Sequence, residues 1–325
     1  MASSNFPNGF ANGVTVRGLP LQQVHPGEVF WVNSTTVLAK GGVGGSNGNN
    51  GSYRQPFATL EYALSRTLAG RGDIVVLMPG YTQTVGSATA LNFDVDGVAV
   101  VGLGHGNLRP TFTFDTANTA TIPVSGDNMS ITNCKFVGNF LSIASCFTVA
   151  TAPGFSVEHC DFTDTSSVLN FLSIVTTTVS VDADGLNFSH NRVRADGATT
   201  PGPAVVILGT IADLTISHNR ITQTAIENDA PKLMSHAALV VTDLLCTHNT
   251  VYCVDTDTSG GAVLITTSAT TGTGIIAHNR VRALDIAAAI MVTAAAVQYG
   301  MFDNLYTGET TQLSGFVLPA IATDA

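Results

Sequence analysis

Hydrophobic and polar positions alternate in short runs along most of this chain, and the runs return at a nearly fixed interval. Ile216-Ser217-His218-Asn219-Arg220-Ile221 shows the unit, and Phe188-Ser189-His190-Asn191-Arg192-Val193 and Ile276-Ala277-His278-Asn279-Arg280-Val281 repeat it. Looser copies are Cys246-Thr247-His248-Asn249-Thr250-Val251 and Met301-Phe302-Asp303-Asn304-Leu305-Tyr306. Two earlier copies, Ile131-Thr132-Asn133-Cys134-Lys135-Phe136 and Val157-Glu158-His159-Cys160-Asp161-Phe162, put cysteine in the asparagine slot. The slot falls at Cys134, Cys160, Asn191, Asn219, Asn249, Asn279 and Asn304, in steps of 26, 31, 28, 30, 30 and 25 residues. A repeat of that length, carried by β-branched residues, predicts a solenoid of strands: a parallel β-helix.

Alternate side chains of a strand point to opposite faces. Ile216 therefore enters the core, a bend follows, and Ile221 returns to the core on the next face. The bend needs a residue that tolerates positive φ and bonds to backbone, and asparagine suits that role. Coils stack at about the 4.8 Å spacing of paired strands, so equivalent asparagines can pass a side-chain amide bond from coil to coil. Cys134 and Cys160 fill the same slot as small apolar plugs without that bond. His159, His190, His218, His248 and His278 share the preceding slot. Rings that all point one way suit a neutral structural stack, or an exposed row that meets a partner, better than a metal site with converging ligands.

Residues 1–56 read as an anchoring arm and residues 57–325 as the β-helix. The arm carries the turn signals Asn8-Gly9, Asn12-Gly13 and His25-Pro26-Gly27, then a strand-like run Glu28–Asn33 and a glycine-rich run over 41–52. Such an arm either lies against a neighbour or folds back on its own solenoid. Phe57, Leu60, Leu64 and Leu68 form a helical stripe closed by Gly70 and Gly72. A helix there would cap the open end of the apolar lumen. Second strands are expected at Ala204–Leu208, Ala237–Val241, Ala262–Ile265 and Ile290–Val292. Polar loops at 195–203, 223–235, 254–260 and 266–273 give the solenoid one variable flank.

Two resemblances follow from these segments. Asn50-Gly51-Ser52, Pro56-Phe57-Ala58-Thr59-Leu60, Gly72-Asp73-Ile74-Val75-Val76 and Pro79-Gly80-Tyr81-Thr82 together resemble the start of pectate-lyase-like right-handed parallel β-helix proteins. That resemblance implies an all-β, single-stranded right-handed β-helix with an N-terminal capping helix, and spans about residues 47–310. It implies little about activity, because the superfamily holds lyases, hydrolases and non-enzymatic phage parts. The arm, from Phe6-Pro7-Asn8-Gly9-Phe10 through Pro26-Gly27-Glu28-Val29-Phe30-Trp31-Val32, resembles the openings of structural proteins in tailed bacteriophages.

Composition narrows the function classes. The chain has 325 residues, 45% hydrophobic and only 11% charged, which excludes a disordered polymer. A net charge of −10 and only three lysines, Lys40, Lys135 and Lys232, argue against nucleic acid and anionic membranes as partners. Residues 1–30 have no positive start followed by an apolar run, so no signal peptide is expected, and no apolar run reaches membrane-spanning length. Cys134, Cys146, Cys160, Cys246 and Cys253 contain no CxxC pair and read as reduced core fillers.

Candidate chemistry is sparse. Glycan hydrolysis needs two carboxylates across one groove, yet Asp182 with Asp184 and Asp255 with Asp257 each lie at a loop edge within one coil. Asp161 and Asp164 meet Arg192 and Ala195 one coil on. Arg192, Arg220 and Arg280 share an outward slot with Asp161 and Thr250 as neighbours, an exposed face rather than a lyase's acid cluster. No G-x-S-x-G elbow occurs, so no catalytic, cofactor or metal-binding residue is assigned. The expected protein is a non-enzymatic virion component: a capsid decoration or cement protein, assembled in the host cytoplasm. The resemblance to phage structural proteins implies a homotrimer, expected to contact the major capsid protein through its N-terminal arm. The alternative is a short tailspike or fibre that binds or cleaves host polysaccharide.

Overall fold

The structure, a computed structural model, describes residues 15–16, 19–20, 27–36, 43–166, 168–179, 182–195, 202–223, 232–236, 240–253, 263–267, 271–282, 290–293 and 298–307. Among them, strands stack into three parallel sheets of 11, 9 and 7 strands, here sheets 1, 2 and 3. One coil runs Ser130–Thr132 in sheet 1, a tight bend, Lys135–Gly138 in sheet 2, a loop, and Phe147–Val149 in sheet 3. A second corner then returns the chain to sheet 1 at Ser156–Glu158. Strands pair in register with their counterparts one coil away: Phe136 with Phe112 and Phe162, Val157 with Ile131 and Phe188, Phe147 with Ile122 and Val175. The chain is an all-β, right-handed, single-stranded parallel β-helix.

Period-two alternation fills the lumen. Ile131, Val157, Phe188, Ile216, Cys246 and Ile276 form one fully buried column under sheet 1. Phe112, Phe136 and Phe162 stack under sheet 2, with ring centroids 5.3 and 5.0 Å apart and planes within 15°. In-register pairing places like side chains over like, so the core grows as columns of one residue class. Two expected loops contain strands instead. Lys232–His236 is the sheet 3 strand that precedes the expected Ala237–Val241 strand, and Val240–Thr247 belongs to sheet 1. Likewise Val263–Thr267 and Thr271–Ala277 occupy much of 266–273. Polar composition misled there because outward positions of an exposed sheet are polar too.

The N-terminal end closes on itself. A helix, α1, spans Leu60–Leu64, with Thr59 as its cap, and packs against Val29–Val32 and Ile74–Leu77. Phe57, Leu60 and Leu64 are buried as the stripe requires, but Leu68 is 57% exposed, because α1 ends at Ser65. Val29–Val32 pairs in parallel with Ile74–Leu77 as the first rung of sheet 1. Residues 43–52 press onto that rung: a Cβ on Gly45 would stand 1.9 Å from the carbonyl oxygen of Asn33. The described part of 27–56 thus folds back on the solenoid. Residues 1–14, 17–18, 21–26 and 37–42 lie outside the described residues, and with them most of the expected arm.

Asp73 locks this end. Its carboxylate is wholly buried and takes a two-point bond from Arg71, Nε to Oδ1 at 2.6 Å and Nη2 to Oδ2 at 2.7 Å. The backbone N–H groups of Glu28 and Leu68 donate to it at 2.7 and 2.9 Å. Burial pushes its pKa up, but the Arg71 guanidinium and the two N–H donors outweigh burial and hold it below the usual carboxylate value. Replacing Asp73 by Ala strands these donors, so Asp73→Ala is expected to cost about 3 kcal/mol of unfolding free energy at neutral pH. Because the folded pKa is the lower one, the carboxylate's contribution is present above the unfolded pKa and is lost as pH falls through the folded value. Denaturant melts of both proteins at neutral and acid pH check this: the gap between them closes on acidification.

Candidate functional site

The bend between sheets 1 and 2 is built by two residues with divided roles. The residue at positive φ is the histidine, not the asparagine: His159, His190, His218, His248 and His278 have φ of 54–57°, and Asn133 and Asp303 hold the same slot at 55° and 50°. The sequence-based assignment of the turn conformation to asparagine is therefore corrected. A left-handed residue at the corner throws its side chain outward, and the next residue points inward. All five histidines are exposed, whereas Asn191, Asn219, Asn249, Asn279 and Asn304 are buried.

Buried asparagines need partners, and each finds them in the preceding coil. Asn219 Oδ1 accepts the N–H of Asn191 at 2.9 Å, while its Nδ2 donates to Phe188 O at 2.7 Å. The same pair of bonds joins Asn249 to Asn219 and Ile216, Asn279 to Asn249 and Cys246, and Asn304 to Asn279 and Ile276. Asn191 begins the ladder by accepting from Cys160 N at 2.9 Å and donating to Val157 O at 2.8 Å. Cys160 and Cys134 are buried in the same slot. There the Cys160 thiol stands 3.8 Å from Ile131 O, where an amide would bond more strongly. Burial pushes the Cys160 and Cys246 thiols up to about 12, and Cys134 and Cys146 well above the usual value, so none of the four is a thiolate nucleophile.

Outside the bend the imidazoles stack. Centroids from His159 through His190, His218 and His248 to His278 are 4.7, 4.6, 4.7 and 4.8 Å apart, and Phe302 closes the column edge-on. Loss of hydration, and then the like charge of His218 and His278, hold the pKa of His248 below the ordinary imidazole value. Among the described residues no three histidine, cysteine, aspartate or glutamate side chains group closely enough to hold a metal ion.

Beside the histidines, the outer face of sheet 2 gathers cations. Lys135, Asp161, Arg192, Arg220, Thr250 and Arg280 form one row by register, and Arg194, Thr222, Tyr252 and Arg282 a second. Six of the chain's 13 lysines and arginines stand here. Among the described residues the ion pairs are Arg71 with Glu28 and Asp73, and His278 with Asp303, so none of the six lies within 4 Å of a carboxylate, although Asp161 stands in register between Lys135 and Arg192. The row of Arg192, Arg220 and Arg280 was read from the repeat and is found here, whereas the second row, with Arg194 and Arg282, was not. At its N-terminal end a groove of about 570 Å³ is lined by His105, Arg109, Asn133, His159, Asp161, His190 and Arg192.

Of the acids, Asp164 is buried and accepts from Phe171 N–H, while Asp161 points outward, so the two do not converge. Asp255 and Asp257 lie outside the described residues. Asp184 belongs to a set that sequence reasoning missed. Asp96, Asp127, Asp184, Asp213 and Asp243 mark the corner between sheets 3 and 1, one coil after another except at Pro153-Gly154. The signal was present: Asp184, Asp213 and Asp243 precede His190, His218 and His248 by five or six residues.

No protein-family model and no curated protein matches the chain. Among solved structures it is similar to a rhamnogalacturonan lyase, with a TM-score of 0.44 and 12% identity over 86% of this chain and 87% of that one. It is also similar to pectate lyase Pel9A, with a TM-score of 0.42 and 15% identity over 87% of this chain and 77% of that one. Neither value carries activity across; the fold stands on the strand register itself.

Two measurements test the bend. Asn219→Ala leaves the Asn191 N–H buried without a partner, removes the second bond to the Phe188 carbonyl, and is expected to lower stability by about 2 kcal/mol in denaturant melts. Cys160→Asn supplies the missing amide and is expected to raise it by about 1 kcal/mol. For the stack, His248 has its lower pKa in the folded state, so folding is favoured above the unfolded pKa and loses stability as pH falls through that value. His248→Asn, which copies Asn133 in the equivalent slot, is expected to flatten the fall in melting temperature between neutral and mildly acid pH.

Proposed function

We propose that the protein is a non-enzymatic structural component of a tailed-phage virion, a decoration or cement protein on the capsid surface. The observation that carries this reading is the way the N-terminal segment enters the solenoid. Val29–Val32 is a full rung of sheet 1, and the Glu28 N–H is gripped by buried Asp73, so a pull on residues 1–26 is delivered to a stiff body. An anchored strut of this kind suits bracing between capsid subunits, with the arm as the anchor and the major capsid protein as its partner. The resemblance of the arm to phage structural proteins supports the same role.

One observation favours a second reading, a short tailspike acting on polysaccharide: the groove at His105, Arg109 and Arg192 is large enough for a sugar unit. Among the described residues Asp161 is the one carboxylate lining it, whereas the two-acid scheme of glycan hydrolysis needs a second.

Quantitative mass spectrometry of purified virions discriminates the two. The decoration role predicts a copy number comparable with that of the major capsid protein, and loss of the protein from heads when residues 1–26 are deleted. A stoichiometry near that of tail fibres would overturn it.

A further inference from the structure

We infer that the acidic corner and the cationic face are the two halves of one contact, through which copies of this chain join head to tail around an axis parallel to the solenoid. The inference rests on the placement of charge and stands apart from the virion reading. Sheet 1 separates the two halves. On one side of its strands stand Asp184, Asp213 and Asp243, and on the other His190, His218 and His248, with Arg192 and Arg220 just beyond. Asp184 Oδ1 accepts the Ala212 N–H at 2.7 Å, a bond an amide oxygen could equally accept, so the corner needs an acceptor there rather than a charge. Asp213 and Asp243 hold φ of 54° and 55°, and Asn128 holds the equivalent position at 54° with an uncharged side chain. Asn133 likewise replaces histidine at the other bend. Carboxylates collected on one edge and guanidinium groups in excess of carboxylates on the other repel within an isolated chain and are complementary between two.

A second copy is the occupant that fits best, because only another solenoid of this pitch presents charges at the same rung spacing. With axes parallel, consecutive Asp184, Asp213 and Asp243 face the coils of His190, His218 and His248, with Arg192 and Arg220 behind the first two, Thr250 behind the third and Arg280 one coil further on. Contact between two different edges is heterologous, so it either closes into a ring or propagates. In a ring, the sheet lying between the edges faces the axis. Sheet 1 carries outward Leu245 and Ile275, in register and 41% and 43% exposed, which are apolar residues inside a charged rim. From Asp213 to His218 the face is roughly 16 Å wide, five residues of strand. Three such faces meet roughly 5 Å from their common axis, which leucine and isoleucine side chains fill, whereas four would leave an open channel about 8 Å in radius. The structure therefore favours three copies.

Sedimentation equilibrium on the full chain tests this. In about 50 mM salt the wild type is expected to sediment as a trimer, and about 500 mM salt to weaken association by at least about tenfold. Two variants, D184N/D213N/D243N and R192Q/R220Q/R280Q, are each expected to be monomers with wild-type circular dichroism. Mixed in equal amounts at about 100 µM they should form a 1:1 dimer, since each retains the edge the other lacks and neither can close a ring. A wild type that stays monomeric at low salt overturns the inference, as does a trimer that survives either substitution set. A mixture that stays monomeric overturns it as well. The salt series needs no variant to fold.

Discussion

The structure depends on a side-chain amide that closes the bend of the coil before it. Every coil must turn sharply between sheets 1 and 2, and a turn buried against the lumen leaves an N–H without a sheet partner beside a strand carbonyl that can accept a second bond. Asn191, Asn219, Asn249, Asn279 and Asn304 supply both bonds from the next coil, so a corner that would weaken the fold becomes a continuous buried seam. The left-handed residue that makes the turn is then free to carry any outward side chain that tolerates positive φ. In this chain that side chain is usually histidine.

The solenoid was legible in the sequence because its cause is local and repeated. Ile216 and Ile221 alternate into the core on either side of a bend, and the interval between bends is written in the asparagine slot. The division of labour inside the bend was not legible. His218 and Asn219 both suit turns by composition, and only the direction of the backbone decides which is left-handed and which is buried. Leu68 shows the same limit: it continues the helical stripe in sequence, but the helix stops at Ser65 before reaching it.

Part of the charge pattern was hidden for another reason. The repeat exposed the row of Arg192, Arg220 and Arg280, but Arg194 and Arg282 beside it and the aspartate corner lie a coil or more apart in the chain, where a scan for charge runs does not find them. Parallel coiling converts a sparse, periodic signal into a dense surface. Net charge and lysine count describe the whole chain and say little about one flank of it. The proposed virion role and the edge-to-edge contact between copies draw on different parts of this molecule, its first rung and its middle coils.

The asparagine seam also has a direction. Each amide reaches back to the coil made before it, so the bend at Phe188–Asn191 is completed only when Asn219 arrives, and that at Ile216–Asn219 only when Asn249 does. From the bend at Val157–Cys160, which Asn191 seals, each corner thus waits for the coil that follows it, while the bend before it has only the Cys160 thiol. A chain that folded as a ribosome delivered it would meet these corners in the order in which the amides that close them arrive.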